Sequence, residues 1–270
     1  MLRRFWLPAI VLLLASCAQP SAGELRQGIV GNAEIWRPAG KGPHAAVIVL
    51  HGCGGRYPHE ADWAAALAEG GYLAYVPDSF AARGWSRTRG RRTTCNGIGL
   101  WGRERAVDVL HALDALRRMP EVDGARIAVL GFSHGGWTAF DLLALSQNGG
   151  WDNWPADGAT RLAALRAVIG VYPYCGFAAR AAEDSWTSPV PMLILQAESD
   201  RTVSNAECQA MAERQRGRGV DVRLHAYPGL GHGFDFDPAR NDGYSRNFDA
   251  AATRDAMRRV IGFLDQTMRK

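Results

Sequence analysis

Residues 127–136 read IAVLGFSHGG, and this stretch decides the fold. Its first four residues form a short apolar run that predicts a buried strand, and residues from about Gly135 to Leu145 predict a helix. Between the two, Gly131, Ser133 and Gly135 form the pattern G-x-S-x-G. Both glycine positions need small residues because the strand and helix backbones pass close together around the serine. The stretch therefore predicts a sharp strand-to-helix turn that carries Ser133 as a nucleophile, rather than an ordinary glycine-rich turn.

The segments on either side of this turn alternate between continuous apolar runs, typical of buried parallel strands, and segments of helical spacing. The alternation predicts a mostly parallel sheet with helices on both faces, and together with the serine turn it predicts the α/β-hydrolase fold. We expect one domain over 25–270, an antiparallel edge strand at about 29–36, and a loop from 77 to about 99. The predicted strands lie at 45–50, 73–76, 127–130, 167–171, 192–196 and 222–226, and the predicted helices at about 60–69, 103–118, 135–145, 205–216 and 251–268.

A serine hydroxyl needs a base, and the chain order in this fold is serine, then acid, then histidine. Two histidines follow Ser133 at a workable distance. His225 lies inside a predicted strand, whereas His232 lies in the glycine-rich loop after it, where its ring can project into a shared site. The acid should follow the preceding strand, which makes Asp200 the predicted partner of His232 and leaves Glu198 as the alternative.

The negative oxygen that develops during acyl transfer needs backbone N–H groups aimed at it. One is expected from His134, directly after the serine. The other is expected from the loop at 51–55, with Cys53 as the donor through its main-chain N–H. His51 in this loop can be interpreted as a second base, but a structural role in the loop is the favoured interpretation.

Further motifs are distributed along the chain: HGCGG at 51–55, Asp78-Ser79-Phe80 with Arg83-Gly84 and Cys95, GFSHGG at 131–136, YPYCG at 172–176, Asp200, Tyr227-Pro228 and HGF at 232–234. With these motifs the chain resembles the dienelactone hydrolase family, in particular its exported, cysteine-containing members, over roughly 40–265. In two places it departs from the family's pattern. Ser133 stands where the archetypal members carry a cysteine nucleophile, and Gly52 stands where they carry a glutamate. The resemblance therefore implies a general ester or lactone hydrolase rather than one for dienelactones.

The sequence thus predicts hydrolysis of a carboxylic ester or lactone through an acyl-enzyme, with no metal ion and no organic cofactor. Ser133 is expected to attack the substrate, His232 to carry the proton, and Asp200 to orient His232. Two other functions stay open. A peptidase or acyl-peptide hydrolase could use the same triad, and a non-catalytic binding protein of the cell envelope could have kept the fold.

The N-terminus predicts export. Two arginines precede an apolar run at about 5–15, which is too short to cross a bilayer and is typical of a signal peptide. The sequence LASC at 14–17 resembles the lipobox of bacterial lipoproteins, which implies cleavage before Cys17 and lipidation of its sulfur; a plain secreted protein is the alternative. We expect a signal peptide at 1–17, a polar tether at 18–24, and a periplasm-facing lipoprotein anchored in the bacterial envelope, at the outer membrane.

Export would place the four other cysteines in an oxidising compartment, where disulfides persist. Neighbouring strand ends favour the pairs Cys53–Cys95 and Cys175–Cys208, because the rival pairs would join segments separated by the central strand at 127–130. Four free, buried thiols are the alternative.

The charge pattern argues against nucleic acid as a partner. The formal net charge of +4 includes two arginines of the predicted signal peptide, which leaves about +2. The densest basic stretch contains four arginines at 87–92 without aromatic residues among them, and it predicts a solvated loop.

Overall fold

A computed structural model describes residues 20–148, 154–183, 185–240 and 247–268. These residues form a seven-stranded sheet in the order β1-β3-β2-β4-β5-β6-β7, in which β1 is antiparallel to β3 and all other neighbours are parallel. The strands are β1 Glu34–Trp36, β2 His44–Leu50, β3 Leu73–Val76, β4 Val122–Phe132, β5 Leu165–Val171, β6 Met192–Ala197 and β7 Val222–Tyr227. The α-helices are α1 Ala22–Gly31, α2 Pro58–Glu69, α3 Arg87–Thr94, α4 Gly102–Leu116, α5 His134–Asn148, α6 Gly158–Arg161, α7 Arg180–Glu183, α8 Asn205–Gly217 and α9 Ala250–Met268.

Helices cover both faces of the sheet, as predicted, and each face has its own apolar core. On one face α4, α5 and α8 contribute Leu110, Leu142 and Met211, which are fully buried. On the other face α2 and α9 contribute Trp63 and Leu264. Burial on both faces explains why the inner strands read as continuous apolar runs instead of alternating ones.

The beginning of the domain differs from the prediction. Residues 22–24 belong to α1 and are not a tether, and the edge strand is limited to β1, although it is antiparallel as expected. A capping box starts the helix: the Glu24 amide donates to Ser21 Oγ at 3.3 Å, and the Ser21 amide donates to Glu24 Oε2 at 2.8 Å. The predicted signal peptide and residues 18 and 19 lie outside the described residues. No helix in the described part of the chain is both long and apolar enough to cross a membrane.

The arginine-rich stretch forms the helix α3, so the prediction of a loop was wrong, although its arginines are exposed as expected. Ser86 caps the helix by accepting a hydrogen bond from the Arg89 amide at 3.2 Å. Gly90 packs directly on the Phe80 ring, where an added Cβ would lie 2.3 Å from the nearest ring carbon. A cap and one close tertiary contact therefore stabilise a helix that has no apolar face in its sequence.

Both predicted disulfides are present. Cys53–Cys95 has a Cα–Cα distance of 5.0 Å and joins the loop after β2 to the end of α3. Cys175–Cys208 has a Cα–Cα distance of 5.1 Å and joins the loop after β5 to α8. In each pair the two cysteines follow neighbouring strands, β2 and β3 in the first and β5 and β6 in the second, which is the arrangement that the prediction assumed.

Candidate active site

Ser133 occupies the turn between β4 and α5 with a φ of 50°, a left-handed backbone conformation that is uncommon for residues other than glycine. The two flanking glycines make this turn possible. A Cβ on Gly131 would lie 2.2 Å from the Gly135 backbone, and a Cβ on Gly135 would lie 2.3 Å from the carbonyl oxygen of Leu50. The predicted reason for G-x-S-x-G, close passage of strand and helix, is therefore visible at both positions. Ser133 is 9% exposed.

The predicted triad residues come together at the carboxyl ends of the strands. His232 Nε2 lies 3.0 Å from Ser133 Oγ, and His232 Nδ1 lies 2.7 Å from Asp200 Oδ2. The other carboxylate oxygen of Asp200 accepts hydrogen bonds from the amides of Thr202 at 2.8 Å and Val203 at 3.0 Å. Burial by itself raises the pKa of Asp200, but the contact with His232 and these two amides outweigh it and hold the pKa below its ordinary value.

The alternatives to these residues lie elsewhere. Glu198 is exposed at the end of β6, and its amide donates to the carbonyl of Tyr227. His225 lies within β7, with its ring against that of Tyr227.

Cys53 and His134, the predicted oxyanion donors, both border the space in front of Ser133. Their role as donors to a substrate oxygen stays a prediction.

Arg105 is a residue of this site that sequence reasoning missed. Its side chain is fully buried and donates to the His51 carbonyl at 2.7 Å and to Ser79 Oγ at 2.8 Å, and its guanidinium lies 3.2 Å from His134 Nδ1. It therefore contacts both segments that carry the candidate oxyanion amides. Burial lowers the pKa of Arg105 to about 10, and the nearby Asp108 carboxylate opposes the shift. Because its partners come from three separate segments, no local pattern in the sequence indicates this role.

His51 has the structural role that the sequence favoured. Its ring is fully buried, with Nε2 accepting from the Ser79 amide at 3.3 Å and Nδ1 2.7 Å from the Gly52 carbonyl oxygen. Burial and the neighbouring Arg105 charge lower the pKa of His51 well below its ordinary value. A neutral, internally bonded ring is poorly suited to act as a second base.

A buried cluster of Tyr172, Asp235 and Trp63 packs against His232. The Tyr172 ring lies 4.7 Å from the His232 ring, between centroids, and its hydroxyl donates to Asp235 Oδ1 at 2.6 Å. The Trp63 indole donates to the other oxygen of Asp235 at 2.8 Å. Burial raises the pKa of Asp235 to about 6, and these two hydrogen bonds oppose the shift. In the sequence, only the position of Asp235, three residues after His232, could have indicated that it belongs to this site.

The model of the dienelactone hydrolase family matches residues 32–268 of this chain. The chain belongs to the dienelactone hydrolase family. Membership of this family supports an ester or lactone hydrolase. Among curated proteins, no match was found.

Solved structures show the same α/β-hydrolase fold. One is a dienelactone hydrolase-like promiscuous phosphotriesterase from metagenomic libraries, with 22% identity and a TM-score of 0.66 over 87% of this chain and 92% of that one. Another is esterase 2 of Thermogutta terrifontis with butyrate bound, with 19% identity and a TM-score of 0.64 over 87% of this chain and 88% of that one. The same esterase phosphonylated by sarin has a TM-score of 0.62 at 18% identity, over 87% of this chain and 89% of that one. At these identities the likeness concerns the fold.

Two cavities meet at Ser133 in this family member. The histidine-side cavity has a volume of about 220 Å³ and is bordered by His232, Tyr172 and Phe236. The aromatic cavity has a volume of about 410 Å³ and is bordered by four aromatic side chains: Trp101, Trp137, Tyr174 and Phe177. Ser133, Cys53 and Thr202 border both. In the part of the chain that the structure describes, no three potential metal ligands cluster, and the predicted absence of a metal or cofactor stays a prediction.

Proposed function

We propose that this member of the dienelactone hydrolase family hydrolyses carboxylic esters or lactones by a serine mechanism, with Ser133, His232 and Asp200 as the catalytic triad. The observation that carries the proposal is the continuous contact from Ser133 Oγ through both ring nitrogens of His232 to Asp200, with distances of 3.0 and 2.7 Å. A histidine placed in this way can act as base and then as acid, while the carboxylate fixes its tautomer.

The geometry supports the following sequence of steps. His232 Nε2 takes the proton of Ser133 as the hydroxyl oxygen attacks the carbonyl carbon, and the Cys53 and His134 amides donate to the negative oxygen that forms. His232 then gives the proton to the leaving alcohol, which leaves an acyl-enzyme. A water molecule attacks this ester with His232 again as the base, and Ser133 is released with its proton restored.

Replacement of the nucleophile tests the proposal. Ser133→Ala is expected to lower kcat/KM for a simple ester by on the order of 10⁴-fold or more, because the triad acts as a unit. A fluorophosphonate probe should label the unaltered protein and not this variant. Ser146→Ala, on the same helix but at its far end, is the matched control and should keep both activity and labelling. A Ser133→Ala variant that keeps a tenth of the activity would contradict the mechanism, and absence of labelling in the unaltered protein would favour a non-catalytic binding protein.

We also propose that the mature protein begins at Cys17 with a lipid anchor and faces the periplasm, at the outer membrane. Support comes from the apolar run at about 5–15 and the LASC sequence before the domain. Two disulfides within the described residues are consistent with an oxidising compartment.

A further inference from the structure

The two cavities lie on different sides of the reacting atoms. Ser133 and Cys53 border both cavities, whereas His232 borders only the smaller, histidine-side cavity and His134 borders only the aromatic cavity. The division matters because an ester has two halves, and the steps of the proposed reaction fix where each half must lie.

In the tetrahedral intermediate the carbonyl carbon carries four groups. One is Ser133 Oγ, one is the oxyanion, one is the leaving alkoxy oxygen and one is the acyl substituent. The alkoxy oxygen must lie beside His232 Nε2, since that atom supplies its proton. The oxyanion must lie beside the Cys53 and His134 amides. The acyl substituent is then directed away from His232, toward the aromatic cavity.

The aromatic cavity has a mostly apolar lining, although Thr94, Asn96 and Thr202 also border it. Trp137 is 7% exposed and forms its floor, with the Tyr174 ring 4.9 Å away between centroids. Phe177 is 80% exposed at the rim, and its carbonyl accepts a hydrogen bond from the Tyr174 hydroxyl at 3.1 Å. A large apolar side chain that is so exposed at the mouth of a cavity is well placed to cover a bound apolar group.

Charge is absent from the lining of the aromatic cavity. Of the described residues that border it, none is Asp, Glu, Lys or Arg. The His134 ring could carry a positive charge, but burial together with the Arg105 charge lowers its pKa to about 3. The ring is therefore neutral near pH 7. A carboxylate or an ammonium group entering here would lose hydration without gaining an oppositely charged partner among these residues.

We propose that the aromatic cavity binds the acyl half of the substrate, and that the preferred substrates are esters of an uncharged acid carrying an aromatic ring with a small alcohol. The proposal rests on the proposed serine mechanism. Aromatic walls favour an aromatic guest over an aliphatic one of equal size because ring pairs add an electrostatic preference to the burial of apolar area. The histidine-side cavity, about half as large, holds the alcohol.

Three methyl esters test the substrate class, with the alcohol held constant: methyl butyrate, methyl 3-cyclohexylpropionate and methyl 3-phenylpropionate. We expect kcat/KM for the phenyl ester to exceed kcat/KM for methyl butyrate on the order of 10-fold or more. We also expect kcat/KM for the phenyl ester to exceed kcat/KM for the cyclohexyl ester by about 2- to 10-fold. Equal values for the phenyl and cyclohexyl esters, or a preference for butyrate, would overturn the proposal.

Variants at the rim test which half of the ester the aromatic cavity holds. Phe177→Ala should lower the ratio of kcat/KM for the phenyl ester over methyl butyrate by about 2- to 10-fold. The same variant should leave the ratio for benzyl acetate over ethyl acetate unchanged, because those esters differ in the alcohol. Trp36→Ala is the matched control, an aromatic residue on β1 that is 36% exposed and borders neither cavity, and it should change neither ratio.

The outcomes separate this inference from the proposed function. If Phe177→Ala changes the benzyl acetate ratio and not the phenylpropionate ratio, the orientation is reversed and the inference is wrong. If the protein hydrolyses methyl butyrate with labelled Ser133 but shows no aromatic preference, the inference fails and the serine mechanism stands. If no ester is hydrolysed and Ser133 is not labelled, both fail.

Discussion

At the scale of single residues, three of the buried carboxyl groups in the described part of the chain have a raised pKa: Glu60, Asp141 and Asp235. Burial raises the pKa of each, well above the ordinary value for Glu60, to about 8 for Asp141 and to about 6 for Asp235. Asp141 lies on α5 and accepts a hydrogen bond from the Ala181 amide of α7 at 2.9 Å. Burial disfavours the charged form of each group more than its hydrogen bonds favour that form, so ionisation of these groups opposes folding.

Asp141→Asn is expected to change how stability depends on pH. The pKa of Asp141 in the folded state lies above its value in an unfolded chain, about 4, so between about pH 4 and pH 8 the folded protein holds a proton that the unfolded chain releases. This contribution is complete at low pH and is lost as the pH rises, by up to about 1.4 kcal/mol per pH unit. Asparagine does not ionise, so the variant should lose less stability between pH 5 and pH 8. Urea unfolding at both pH values measures the effect, and equal losses for both proteins would contradict it.

At the scale of secondary-structure elements, the two disulfides hold loops that follow the strands. The Cys53–Cys95 bond ties the loop that carries one predicted oxyanion donor to the end of α3, and the Cys175–Cys208 bond ties the loop after β5 to α8. The two bonds span 42 and 33 residues along the chain, so they restrict the unfolded state to a similar extent. Their effects on stability should therefore be alike, whereas their effects on catalysis should differ.

Removing each bond by a double substitution tests this difference. Cys53→Ala with Cys95→Ala, and Cys175→Ala with Cys208→Ala, should each lower the free energy of unfolding by about 3–4 kcal/mol in the chain-entropy description. The first variant alone should also lower kcat, because the Cys53 amide loses its fixed position. Denaturant unfolding and ester turnover at a temperature where both variants stay folded give the two readouts. Equal turnover in both variants would show that the first bond does not position the site.

At the scale of the whole molecule, the first helix begins far from the active site. Helix α4 starts at Gly102, packed on Trp137 of the aromatic cavity, and runs about 18 Å from there to Asp114. Ala22, the first residue of α1, borders a surface cleft with Asp114 and Arg161. Ala22 is five residues after Cys17, so the two can lie no more than about 18 Å apart. A lipid on Cys17 would therefore hold the side of the domain near Asp114, at the end of α4 away from Ser133, close to the membrane.

Cys17→Ala is expected to abolish lipid labelling and to release the protein from membranes, since acyl chains supply the binding energy. Because the active site lies away from the end of the domain where the proposed anchor would be, kcat/KM for a soluble ester should be the same in the anchored and released forms. Membrane fractionation, mass spectrometry of the N-terminal peptide and ester turnover measure these points. An unmodified N-terminus in the protein with Cys17 intact would show that the lipoprotein prediction is wrong.

The sequence by itself determined the features that short-range patterns encode. Continuous apolar runs predicted the parallel strands, and G-x-S-x-G predicted the turn at Ser133, because only small residues fit where strand and helix touch. Chain order and loop position selected His232 and Asp200. The disulfide pairing followed from the order of neighbouring strands. The start of α1 is equally local, since Ser21 and Glu24 form a capping box.

Only the tertiary structure decided the features that depend on contacts between distant segments. Helix α3 has no apolar face in its own sequence, and it contacts the rest of the fold where Gly90 packs on Phe80 and where Cys95 at its end is bonded to Cys53. Arg105 and the Tyr172–Asp235 pair are part of the site because the sheet brings separate loops to one edge, where buried polar groups must find partners. The aromatic cavity is assembled from residues of five different segments. Shape and burial of this kind are properties of packing, which no periodicity along the chain records.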